Sequence, residues 1–293
     1  MRRICPVLIM LLFVSAACRQ EKIRVNHQPH IIVSIPPQKY FVERIAGDLY
    51  PVHVLVPPGM GPETYEPTPG DLEKVARSPL YFLSGHFEFE PMLADKLRDM
   101  NSPCRFVESG KQVDWISGTC RHGEHEHAHG GIDPHYWMSP KEVKTVAQTM
   151  HDALLDLMPE QKHQLDSGLQ AFVRDIDKLD QYLKNHFTEV KTRKFILFHP
   201  SLSYLARDYS LEQLALEFEG KPPSPARMKL LLDEAKSAGI RTVFLQSQFD
   251  RNNMETLARA LDGKVVSIDP LDPDWMNAFY QLSVKLQVAM NGK

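Results

Sequence analysis

The sequence predicts an α/β protein of two lobes, each a four-stranded parallel sheet flanked by helices, joined by one long helix. Three observations carry this. Short β-branched runs alternate with helical patterns along the whole chain, the mark of parallel sheets with crossover helices. The alternation occurs as two sets of four. Between them lies a single uninterrupted apolar stripe at helical spacing.

In the first half the expected strands are residues 31–35 (IIVSI), 52–56 (VHVLV), 80–84 (LYFLS) and 105–108 (RFVE), with helices near 38–47, 70–77, 88–99 and 140–157. In the second half they are 195–198 (FILF), 212–216 (EQLAL), 242–246 (TVFLQ) and 264–268 (KVVSI), with helices near 201–208, 224–238, 251–262 and 273–290. Between the halves, Leu165, Leu169, Phe172, Ile176, Leu179 and Leu183 recur at three- and four-residue steps within 159–187. That is one helix face. Pro159 suits a first helical position, and Gly168 should weaken the helix locally. About 28 residues at 1.5 Å rise give roughly 42 Å, enough to run along both lobes. A stiff helix predicts limited closure. The expected organisation is therefore residues 1–17 as a signal, 18–158 as the first lobe, 159–188 as the linking helix and 189–293 as the second lobe.

The N-terminus reads as an export signal: Arg2 and Arg3, an apolar run from Ile4 to Val14, then small residues before Cys18. The run is too short to span a bilayer. A cysteine directly after small residues resembles a lipobox, so Cys18 is the expected lipidation site. Loss of 1–17 removes Arg2 and Arg3 and moves the formal charge from −3 to −5. That balance excludes a nucleic-acid partner, and no polybasic stretch suggests membrane-surface binding. In an oxidising compartment Cys104 and Cys120 are a disulfide candidate.

Ligands of open parallel sheets bind beyond the carboxyl ends of the strands. Those ends present Glu63 in PPGMGPETYEPTP, His135 in DPHYWMSP, His199 in HPS and Asp269 in DPLD, at spacings of 72, 64 and 70 residues. Imidazoles and carboxylates are ordinary zinc ligands, and two from each lobe would bridge a cleft. Tyr65, Tyr136 and Trp137 are expected to pack around such a site.

These segments are specific in combination. PETYEPTP, DPHYWMSP, FHPSLSYLARDYSL and SIDPL, in this order, resemble the ligand segments of metal-binding substrate-binding proteins of ABC transporters, the ZnuA/TroA-type family. The resemblance runs from about residue 30 to the end. It implies a two-lobed fold, a zinc ligand set at Glu63, His135, His199 and Asp269, and delivery of the metal to an ABC permease from a monomer lipid-anchored in the periplasm or at the cell surface. It also implies rivals within the fold: a manganese-binding homologue or a metal-dependent adhesin. Glu63 departs from the family's usual histidine, and Gln246 stands where many members have glutamate. His86, in SGHFEFE, is a candidate to compensate for the first departure.

His122, His125, His127 and His129 crowd the segment 121–131, RHGEHEHAHGG. His125, Glu126 and His129 match the H-E-x-x-H zinc-protease signature, but that signature works on a helix, and Gly123, Gly130 and Gly131 flank it here. A loose metal-collecting tract, typical of zinc members of the family, is the better reading. A zinc-dependent hydrolase remains the rival of another class. It would need an open metal position and a general base, a role open to Glu63.

Overall fold

The computed structural model describes residues 30–117, 131–217, 224–249 and 252–292. The first lobe contains β1 (Ile31–Val33), α1 (Pro36–Ala46), β2 (Val52–Val54), α2 (Pro69–Ala76), β3 (Leu80–Leu83), α3 (Phe89–Asp99), β4 (Arg105–Glu108) and α4 (Pro140–Leu157). After α5 (Lys162–His186) come β5 (Lys194–Leu197), α6 (Ser203–Asp208), β6 (Glu212–Ala215), α7 (Pro225–Ser237), β7 (Thr242–Gln246), α8 (Asn252–Ala260), β8 (Lys264–Ile268) and α9 (Trp275–Met290). Both sheets are parallel and share one topology, β2-β1-β3-β4 and β6-β5-β7-β8. The expected two-lobe α/β architecture is the one that forms. In each sheet the order reverses beside the first strand, which opens a crevice at the carboxyl ends.

The first strands are shorter than their apolar runs. β1 ends at Val33 because Pro36 and Pro37 occupy the opening positions of α1, where a missing N–H costs nothing. Gln38 stabilises that start: its Oε1 accepts the N–H of Ser34 (2.9 Å) and of Ile35 (3.3 Å). The long helix starts later than its proline suggests, since Pro159–Gln161 forms a 3-10 turn that leads into α5 at Lys162.

All six stripe residues of α5 are buried. They pack on α1 and α4 of the first lobe and on α9 of the second. Gly168 has a role that periodicity does not reveal. A Cβ there would lie 2.1 Å from the carbonyl oxygen of Ile45, so the glycine lets α1 and α5 approach closely. The lobes also exchange hydrogen bonds. Trp137 Nε1 donates to the Pro270 carbonyl (2.9 Å), and Trp275 Nε1 donates to the Trp137 carbonyl (2.7 Å). Trp275 further stands edge-on to Phe41 and Phe172. One apolar core therefore runs through both lobes, with a second, smaller core between β7, α7 and α8. Such packing favours small inter-lobe motions, as a helical connection implies.

Among the described residues no helix is long and apolar enough to cross a membrane. Cys104 is buried, and burial pushes its thiol up to about 12. Its candidate partner Cys120 lies outside the described residues, as do Cys18 and the tract histidines His122, His125, His127 and His129.

Candidate metal centre

Glu63 sits in a 3-10 turn, Pro62–Thr64, in the loop after β2. The turn is anchored downstream by Tyr65, whose ring packs edge-on against Phe89 and whose hydroxyl donates to Asp71 (2.9 Å). Asp71 also accepts the Thr68 N–H (3.0 Å), closing a capping box at the start of α2. His135 precedes a second 3-10 turn, Tyr136–Met138, just before α4. His199 stands two residues past the end of β5. Gln246, at the end of β7, holds the His199 backbone: its amide donates to the His199 carbonyl and to Ser201 Oγ (2.8 Å), while its Oε1 accepts the His199 N–H (3.3 Å).

These elements bring three donor atoms together. His135 Nε2 and His199 Nε2 are 3.3 Å apart, and Glu63 Oε1 lies 3.3 Å from the first and 3.7 Å from the second. A tetrahedral ion with bonds of about 2.0–2.1 Å keeps its donors roughly 3.3–3.4 Å apart. Two of the three separations match edges of a zinc tetrahedron, and the third, Glu63 to His199 at 3.7 Å, is slightly longer. Among the described residues, this is the group of three that can hold a metal ion. They line one small pocket together with Trp137, Gln246 and Phe249.

The far sides of both rings decide which atoms point inward. His135 Nδ1 faces Asp133 Oδ1 at 2.7 Å, and the same oxygen accepts the His135 backbone N–H (2.9 Å). His199 Nδ1 faces Glu217 Oε2 at 2.9 Å. A carboxylate accepts only, so each Nδ1 carries the proton and each Nε2 presents a lone pair. Two lone pairs and a carboxylate then converge on one point, an arrangement that demands a cation. In the metal-free protein a proton supplies it. Burial alone would lower the His135 pKa, but the Asp133 charge and the Asp133 and Glu63 hydrogen bonds outweigh it and raise it to about 10. His199 is raised as well: burial opposes this, and the Glu217 and Glu63 hydrogen bonds prevail. Burial likewise opposes ionisation of Glu63, yet the two imidazoles hold it well below the usual carboxylate range.

Of the four residues expected at strand ends, the structure joins Glu63, His135 and His199. Asp269 is placed apart from this group. It is exposed, and its Oδ1 accepts the Leu271 N–H (3.0 Å) and the Gln248 side-chain amide (3.0 Å). His86 is also apart: it is exposed, has a left-handed backbone (φ 64) and stands edge-on to Trp115. Tyr136 and Trp137 are fully buried beside His135, and Tyr65 is buried behind Glu63.

Sequence reading missed three residues. Asp133 is signalled only by its place two residues before His135. Glu217 has no local signal, because β6 brings it beside His199 from 18 positions away. Phe249 stacks on the His199 ring at 5.3 Å between centroids, and it too is placed only by the fold.

The family model described as zinc-uptake complex component A, periplasmic, matches residues 31–284. The chain belongs to this family. A crystal structure of a 138–173 deletion mutant of ZnuA with zinc bound is 36% identical, with a TM-score of 0.83 over 90% of this chain and 98% of that one. The zinc-binding lipoprotein AdcA of Streptococcus pneumoniae (strain ATCC BAA-255 / R6) is 26% identical over 264 residues, 87% of this chain and 52% of AdcA. The chain thus spans about half the length of that relative. A putative metal-binding protein of Chlamydia trachomatis serovar D is 26% identical over 276 residues, 92% of this chain and 95% of its own. Membership bears out the expected resemblance, and the family's description is that of an uptake component.

Proposed function

We propose that the protein captures zinc outside the cytoplasm and hands it to an ABC permease. One observation carries this reading: two imidazole lone pairs and a carboxylate, drawn from both lobes, converge at 3.3–3.7 Å, close to the edge lengths of a zinc tetrahedron. Imidazole donors favour zinc over the hard cations magnesium and calcium. The family's description as a zinc-uptake component, and zinc in the structure of a relative, support the same ion. Glu63, His135 and His199 are the ligands. Asp269 takes the fourth position when its carboxylate leaves Gln248 and turns inward. The metal is cargo, and binding followed by release is the whole activity. Capture displaces a proton from His135. Slight separation of the lobes would pull His199 away from Glu63 and His135 and free the ion, which fits a hand-over driven by contact with a permease. Cys18 would carry the lipid anchor, and the tract at 122–129 would collect metal loosely without shaping the tight site.

Elemental analysis of the purified mature protein, followed by competition between zinc and manganese, tests this. The expected result is one tightly held zinc that manganese does not displace at comparable concentration. His135→Ala and His199→Ala should each abolish it. Turnover of ester, phosphate or peptide substrates by the zinc-loaded protein would overturn the reading in favour of a hydrolase.

A further inference from the structure

Tyr204 is fully buried in α6, the short helix that begins soon after His199. Its hydroxyl reaches into the other lobe. It donates to the Asp133 carbonyl (2.9 Å) and accepts the Ile116 N–H (3.1 Å). Those two residues are themselves joined, since the Asp133 N–H donates to the Ile116 carbonyl (2.9 Å), and Ser117 and Ile132 form an antiparallel bridge beside them. One phenol therefore closes a junction at the point where the chain approaches His135. Burial pushes its pKa well up, so the phenol keeps its proton.

We propose that Tyr204 is a positioning residue of the metal centre, fixing through the Asp133 backbone how His135 meets His199. The inference rests on Glu63, His135 and His199 being the metal ligands. Asp133 orients the His135 ring with its side chain, and Tyr204 orients Asp133. The helix bearing Tyr204 continues from the turn bearing His199. Together with the Ser203 side chain, which hydrogen-bonds the Asp133 carboxylate, the phenol thus ties one histidine's support to the other histidine's lobe. A productive site tolerates displacements of only about 0.5 Å. Without the phenol, the Asp133 carbonyl and the Ile116 amide lose a partner in a largely buried place, and each must move to find another.

General docking of the lobes at this face falls to a different side chain of α6. Arg207 pairs with the buried Glu142 of α4 (2.7 Å), donates to the Asp114 carbonyl (2.9 Å) and pairs with Asp208 (2.9 Å). Its guanidinium also lies over the Tyr204 ring, 5.0 Å from the centroid, but its hydrogen bonds go to Glu142, Asp114 and Asp208. Arg207→Gln therefore leaves the hydrogen bonds of the phenol hydroxyl in place, and the two roles can be separated by substitution.

The experiment compares the full chain with Tyr204→Phe and Arg207→Gln. Zinc affinity is measured by chelator competition, thermal melts check folding, and proton–nitrogen NMR follows the His135 Nδ1–H resonance in the metal-free proteins. Tyr204→Phe keeps the ring and its packing. It should weaken zinc about tenfold, as loss of a support for a metal-bound histidine does, and shift or broaden the downfield Nδ1–H signal. Arg207→Gln should lower the melting temperature, keep zinc affinity within twofold of the parent and leave the Nδ1–H resonance in place. Unchanged affinity and an unchanged resonance in Tyr204→Phe would overturn the inference. So would an equal affinity loss in Arg207→Gln, which would make lobe docking the cause. If the parent itself fails to bind zinc, the metal reading falls, and the Nδ1–H resonance still decides whether Tyr204 holds Asp133 against His135.

Discussion

Asp133→Asn changes one oxygen to an amide nitrogen in a buried side chain, and its consequence for zinc depends on pH in a way the structure defines. Asp133 Oδ1 accepts both the ring Nδ1–H and the backbone N–H of His135. Asparagine can still accept through its oxygen, so the ring orientation survives in part. The charge does not. Hydrogen bonds to ionised groups are roughly twice as strong as neutral ones, and losing such an outer partner of a metal-bound histidine costs about 10- to 100-fold in affinity, roughly 1.4–2.7 kcal/mol. The same charge also holds the His135 pKa up near 10, so the parent's site competes with a proton over the neutral range. In the variant both metal and proton bind more weakly. The affinity gap should therefore be widest above pH 9 and narrow toward pH 6, where relief from proton competition offsets part of the lost basicity. Chelator competition at pH 6, 7.5 and 9, with circular dichroism to check folding, measures this. A folded Asp133→Asn that binds zinc as the parent does at all three values would refute the argument, and so would a loss that is the same at each.

For the parent, zinc affinity should rise about tenfold per pH unit for each proton displaced, from pH 6.5 toward 10. The metal-free protein should behave oppositely. A raised His135 pKa stabilises the fold fully below about 6.5, and that contribution is lost as pH climbs through 10, so metal-free melts should fall between those values. Glu63→Ala should weaken zinc by 10-fold or more in chelator competition, because it removes the donor that closes two edges of the site; Glu63→His should retain zinc and disfavour manganese. If His86→Ala rather than Glu63→Ala loses zinc, the assignment passes to His86. Gly168→Ala should destabilise the protein by about 1–3 kcal/mol in denaturant melts, although alanine is the better helix former, because its Cβ meets the Ile45 carbonyl at 2.1 Å. A melt equal to or above the parent's would show that α1 and α5 part without cost.

By itself the sequence determined the elements and their order. β-branched runs, the heptad-like stripe of α5 and the placement of Glu63, His135 and His199 after strands are local patterns, and local patterns survive without a fold. The repeat of two four-strand units was equally legible, because each lobe writes its own alternation of strand and helix. What the sequence could not supply were relations across distance. Glu217 reaches His199 because β6 pairs with β5. Tyr204 reaches Asp133 because α6 of the second lobe packs against the His135 segment of the first. Gly168 meets Ile45 only where two helices touch. Asp269 follows its strand as expected, yet the turn after β8 gives its oxygen to Leu271 and Gln248, so strand-end position alone did not decide whether it joins the other three. A ligand is chosen by its chemistry, which one residue carries in its name. Its orientation and proton affinity are set by its neighbours, and of these only Asp133 is close in sequence; strand pairing brings Glu217 to His199, and packing of the lobes brings Glu63 to both histidines.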